Sequence, residues 1–192
     1  MEEYEHELTM RAEAEEGRRA AALKLELEAM ERLLSVAPDD PSAHAEAVDR
    51  DWPWVRLEAV ATTEEEQLEC KRIVLGYFVH VNDLYKHFCG NSLRGPTSAM
   101  EYDEWEHVLQ VTDAVDMAKD AAVAKRIFQQ ANEMRGEDAA EDFGEDSMSR
   151  FEFLEGLLIL AKYKYGRIMD ETGSRLTAGK CFKRLADEHL VP

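Results

Sequence analysis

Apolar positions recur at helical spacing through most of this chain. Over 2–36, Leu23, Leu27, Met30 and Leu34 step by four, three and four, a narrow stripe on a segment rich in Ala, Glu, Leu and Arg. The pattern predicts one long N-terminal helix, with Gly17 its only poor helix former. Pro38-Asp39-Asp40-Pro41 ends it in a turn, and 42–50 reads as a short helix. Thr63 and Glu66 fit a capping box, which opens a long helix to about Phe88. Its apolar residues, among them Ile73, Phe78, Val81, Leu84, Tyr85 and Phe88, go most of the way round, as suits a central buried helix. Two further helices are expected over 101–118 and 120–133. Ser149 with Glu152 gives a second capping box for a helix to about Met169, and a last helix is expected from Leu176 to Leu190. No segment alternates with period two for long enough to argue a strand. The predicted class is all-α.

A phrase occurs twice on this helical background. Met100-Glu101-Tyr102-Asp103-Glu104-Trp105 and Met148-Ser149-Arg150-Phe151-Glu152-Phe153 each set an apolar residue four places before a Glu, with an aromatic straight after. These residues resemble the second half of an EF-hand loop: position 8 apolar, position 12 Glu, then the first core residue of the exiting helix. The first halves do not fit. Cys89 to Glu104 is 16 residues where 12 are needed, and counting back from Glu104 puts Leu93, Gly95 and Thr97 at the first ligand positions. Asn132 to Glu152 is 21 residues. Counting back there gives Glu141, Phe143 and Glu145, with Asp146 where the sharp turn needs Gly. The chain thus resembles the calmodulin-like EF-hand superfamily in degenerate form. The resemblance implies a paired degenerate EF-hand domain kept for shape. No metal is expected, and Glu141, Glu145 and Glu152 are the candidate set if a cation binds. The other reading of the acidic run is a solvated insertion.

A narrower resemblance lies towards the C-terminus. The run Phe153 to Tyr165, followed by Cys181 to Pro192 with its Glu188, His189 and Pro192, is similar to pseudo-EF-hand modules of ciliary and flagellar axonemal proteins. In those the phrase is roughly F-x-E-A-L-x-R-x-A-x-x-K-Y and then L-x-E-H-x-x-P. Here Gly156 replaces Ala and Ile159 replaces Arg. The resemblance implies a non-catalytic structural subunit in a large assembly, with axonemal proteins or tubulin as partners.

The organisation expected is an amphipathic acidic helix over 1–37, a linker over 38–62, the EF-hand-like pair over 63–170 and a C-terminal helix over 171–192. Trp52 and Trp54, around Pro53, are expected to plug the junction before the domain; the alternative is an exposed docking anchor. Trp105, Phe153, Met100 and Met148 are expected to form the core or docking centre.

Charge and chemistry narrow this further. The net charge of −18 repels phosphate backbones and anionic lipid, so neither nucleic acid nor membrane insertion is expected. Three scattered cysteines and an N-terminus without an apolar core point to the cytoplasm and to no signal peptide. There is no Gly-rich phosphate loop, no H-E-x-x-H and no G-x-S-x-G. His80 and His87 are two turns apart without a third ligand at metal spacing, and no nucleophile signature surrounds Cys89. No enzyme and no cofactor are expected. Lys162, Lys164, Arg167, Lys180, Lys183 and Arg184 make the last third locally basic, either as solvated faces or as a contact for an acidic partner surface such as tubulin. Two functional alternatives stay open: a calcium-responsive regulator using 132–152, and an accessory subunit of another large complex.

Overall fold

The computed structural model describes residues 41–90, 99–133 and 147–191. The helix expected over 2–36, the loop 91–98 and the acidic run 134–146, with Glu141 and Glu145 in it, lie outside the described residues. In chain order the elements are α1 (Pro41–Asp51), a 3-10 turn (Trp52–Trp54), α2 (Glu64–Gly90), β1 (Met100–Glu101), α3 (Tyr102–Val111), α4 (Met117–Ala131), β2 (Ser147–Met148), α5 (Arg150–Tyr165), α6 (Ala178–Leu185) and a π-helical turn (Ala186–Leu190). The described residues are mostly helical with one minor two-stranded sheet, which puts the chain in the all-α class. β1 and β2 pair antiparallel, and two residues each is too short for an alternating pattern to announce them.

The Ser149–Glu152 capping box forms, and the Thr63–Glu66 one forms in half. Thr63 Oγ1 accepts from the Glu66 N–H at 3.2 Å, while Glu66 Oε2 accepts from the Thr62 N–H at 3.1 Å, one residue outside the expected partner. At α5, the Ser149 and Glu152 side chains each accept from the other's backbone N–H. The helix expected over 101–118 instead stops at Val111. Asp113 takes φ +52, the Asp113 N–H bonds Gln110 O at 3.2 Å, and the Ala114 N–H bonds Leu109 O at 3.1 Å. That is a Schellman closure with Asp where Gly is usual, because a short polar side chain tolerates the left-handed region. Asp116 then caps α4 by accepting from the Ala118 N–H at 3.1 Å.

The stretch 38–62 is not a loose linker where it is described. Val48, Val55, Leu57, Val60 and Ala61 are all buried, the last four in one cluster with α2, α3, α4, α5 and α6. Two buried-end ion pairs fasten it. Arg150 at the start of α5 reaches Asp51 with Nε at 2.6 Å and Nη2 at 3.0 Å, and its Nη1 donates to Asn82 Oδ1 at 3.1 Å. That single fork joins α1, α2 and α5. Arg56 binds Glu155 through Nε at 3.0 Å and through its backbone N–H at 3.0 Å. The same guanidinium donates to the carbonyls of Gln130 at 2.6 Å, Ala131 at 3.0 Å and Glu133 at 3.3 Å, which closes the C-terminus of α4. The C-terminal segment also belongs to this core, since α6 packs on both α2 and α5 and buries Cys181, Phe182 and Leu185.

Candidate functional site

The two repeated phrases meet. In the β1–β2 ladder Met100 is the register partner of Met148, and Glu101 of Ser147. The described chain therefore holds two helix–strand–helix units, α2–β1–α3 and α4–β2–α5, joined at equivalent residues of the repeat. Directly behind the ladder, Trp105 and Phe153 stand edge to face, ring centroids 5.8 Å apart at 87°. All four side chains are fully buried, so they form the core and not an outer docking face. Tyr85 completes the centre. Its ring lies 5.6 Å from Phe153 and its hydroxyl donates to Met148 O at 3.0 Å. Burial, aided by the neighbouring Cys89, raises the Tyr85 phenol above its ordinary range. The Trp105 Nε1–H donates to Ala124 O at 3.2 Å, so the indole is satisfied while buried.

Gly156 is explained by the same centre. A β-carbon there would stand 3.0 Å from Met148 Cε and 3.3 Å from a carbon of the Trp105 ring. The departure from Ala in the axonemal-type phrase thus goes with a large tryptophan on the facing helix.

The two glutamates of the repeat act as helix caps. Glu104 Oε2 accepts from the Glu101 N–H at 2.8 Å. Glu152 Oε2 accepts from the Ser149 N–H and from Ser149 Oγ, each at 2.7 Å. Both carboxylates therefore fix the entry of an exiting helix from within the chain. Among the described residues no three His, Cys, Asp or Glu side chains cluster as a metal site.

The tryptophans of the 3-10 turn separate. Trp52 is partly buried against the core. Trp54 is 57% exposed, its ring 6.3 Å from that of Phe151. A three-residue turn rotates successive residues by about a third of a circle, so two places apart cannot share one face.

Among the described residues, the cysteines and histidines of α2 and α3 sit in packed surroundings. Burial pushes the Cys89 thiol up to about 11 and the Cys70 thiol up to about 12, the reverse of an activated nucleophile. The ring of Phe88 sits edge-on to His87 at 5.1 Å and to His107 at 5.4 Å, an aromatic packing role for both imidazoles. Glu66, in a cleft between the starts of α2 and α6, accepts from the Ala178 N–H at 3.2 Å and so serves as a tether.

The basic residues of the last third are largely neutralised at home. Lys180 pairs with Asp170 at 3.3 Å, Lys183 with Asp187 at 2.6 Å, Arg184 with Glu188 at 2.6 Å and Lys162 with Glu66 at 3.7 Å. Lys164 donates to Ala114 O at 2.9 Å and lies 2.7 Å from His189 Nε2. Pairing at four of the six basic positions reduces the positive field an acidic partner would need, which favours the solvated-face reading.

Sequence reasoning missed Arg56, Asp51, Arg150 and Glu155. The one signal for them was Glu155 itself, a carboxylate inside the apolar run from Phe153 to Ala161, where a burial partner is required. No helix of the described residues is long and apolar enough to cross a membrane. Compared with protein-family models, curated proteins and solved structures, the chain matches none.

Proposed function

We infer that this domain is a degenerate EF-hand pair used as a calcium-independent, non-catalytic scaffold that docks in a large assembly, a ciliary or flagellar axoneme. The observation that carries the reading is the Met100–Met148 register of the short ladder. EF-hands work in pairs joined through the second halves of their loops, and here the two position-8 residues of the repeat are each other's partners. The residue after each Glu, Trp105 and Phe153, then fills the shared core.

The caps support calcium independence. In a calcium loop the position-12 Glu is a bidentate ligand. Here Glu104 and Glu152 each commit an oxygen to the backbone N–H three residues earlier. On this reading the chain's own backbone sets the helix entry, and a pair shaped in that way needs no metal-driven opening. Such a domain contributes surface and rigidity. The axonemal assignment rests on the resemblance of the Phe153–Tyr165 and Cys181–Pro192 phrases.

Location tests it. The protein is tagged in its native cell, the cell is extracted with detergent, and the demembranated axoneme is assayed for retention. Retention through the wash is the expected result. A fully soluble, diffuse pool sinks the axonemal assignment, and recovery with a membrane fraction moves the scaffold to another complex.

A further inference from the structure

α2 is the central helix of the fold, yet one side of it is bare. Leu68 is 62% exposed and Leu75 is 41% exposed. Arg72 between them is exposed and Val79 beyond them is half-buried, so these four positions step along the helix by four, three and four. Beside Leu75 stands Gly76, mid-helix, where an added β-carbon would meet nothing within 4 Å. Glycine weakens a helix interior, and no packing among the described residues accounts for this one. An apposed helix would, because a residue without a β-carbon lets a second backbone come close.

The chain carries a matching stripe. Leu23, Leu27, Met30 and Leu34 also step by four, three and four, the spacing of a two-helix seam. Glu26 and Glu31 flank the stripe and are opposite in charge to Arg72, while Lys24 and Arg32 on the same segment are opposite to Glu65 and Glu69, which stand beside Arg72 on α2. The connection is short enough. α1 lies against α2, with Val48 buried and Asp49 Oδ1 2.8 Å from Lys71 Nζ. Seven residues lead from Leu34 to Pro41 at the start of α1, a reach of about 25 Å if extended. α1 itself is only about 16 Å long.

We propose that residues 23–34 dock as a helix on the Leu68–Leu75 face of α2 of the same molecule, stripe against stripe. The segment before the domain is then a cover for its central helix and not an arm for a partner. This holds whichever assembly the protein serves.

Photo-crosslinking in the full chain tests it. The probe p-benzoylphenylalanine replaces Leu75 in one variant, Leu68 in a second, and Tyr163 in a control. Tyr163 is 51% exposed on α5 and carries Arg126 over its ring. The expected result is a monomer-sized product in which position 75 or 68 is joined to a peptide from 20–36, with none from position 163. Leu27→Asp together with Met30→Asp abolishes that product while helical content of the domain persists. A product of dimer size assigns the face to a second copy and overturns the proposal. So does the absence of 20–36 from the products of both α2 positions, or its equal capture from position 163.

Discussion

Met148 Cε lies where it would be 3.0 Å from a β-carbon on Gly156, although Met148 and Gly156 both belong to the second half of the repeat. The contact exists because β2 runs straight into α5, so that Met148 folds back over the second turn of its own exiting helix and meets Trp105 there. Gly156→Ala sets two effects against each other. Alanine gains about 1 kcal/mol in helix preference, while overpacking a filled core costs about 1–3 kcal/mol. Met148 Cε is the mobile end of a flexible chain, but Trp105 at 3.3 Å is rigid and fully buried. We expect net destabilisation of about 1 kcal/mol for Gly156→Ala and clearly more for Gly156→Val, read from urea midpoints. A stabilised alanine variant contradicts the close approach.

Arg56 and Glu155 are 99 residues apart in sequence and share one ion pair. Glu155 is 2% exposed, and the same guanidinium closes the end of α4. Removing the cation leaves a buried carboxylate without it and takes donors from the last carbonyls of α4. Arg56→Ala should cost about 3–5 kcal/mol. Arg56→Lys should recover less than half, because one ammonium cannot serve Glu155 and three carbonyls together. Equal stability of the lysine variant and the natural chain would show that the fork geometry is not required.

The helical class, the Ser149–Glu152 capping box and half of the Thr63–Glu66 one were readable because each is local or periodic. Thr63 and Glu66 are three residues apart, and the Met–Glu–aromatic phrase recurs at the two places the ladder joins. The break after Val111 was not readable, since Asp113 closes the helix where sequence habit looks for glycine. Nor were the long-range ion pairs, because no local pattern links Asp51 to Arg150 or Arg56 to Glu155. The stretch 38–62 read as a linker from its prolines and tryptophans. Its scattered Val48, Val55, Leu57, Val60 and Ala61 have no period, yet each finds a place in the core.

His189 makes stability depend on pH. Its Nδ1 lies 3.2 Å from Thr112 O and its Nε2 lies 2.7 Å from Lys164 Nζ. With Nδ1–H donating to the carbonyl, Nε2 accepts from the ammonium, which requires a neutral ring. Burial first, and then the charge of Lys164, hold the imidazole below its ordinary 6.5, while the hydrogen bond to Thr112 O and then Glu188 and Asp113 pull the other way. A lowered folded value means the unfolded chain takes up its proton first. The stabilisation is therefore full above about 6.5 and is lost as pH falls from there through the folded value. His189→Asn should flatten this part of a melting-temperature profile between about pH 7.5 and pH 5. An unchanged slope in the variant assigns the acid sensitivity to other groups.

Glu152 decides between a structural and a calcium-binding role for the second unit. As a cap it accepts from the Ser149 N–H and hydroxyl, each at 2.7 Å. Glu152→Gln keeps the shape but weakens a charged acceptor at a helix N-terminus, a loss of about 1 kcal/mol. That loss should be the same in chelator and in about 1 mM calcium, the upper range of EF-hand affinities. The natural chain should melt at the same temperature in both. If calcium instead raises the melting temperature of the natural chain, and Glu152→Gln removes the rise, then Glu152 is a ligand with Glu141 and Glu145. The second unit would in that case be a calcium site, and the scaffold reading would give way to the regulator.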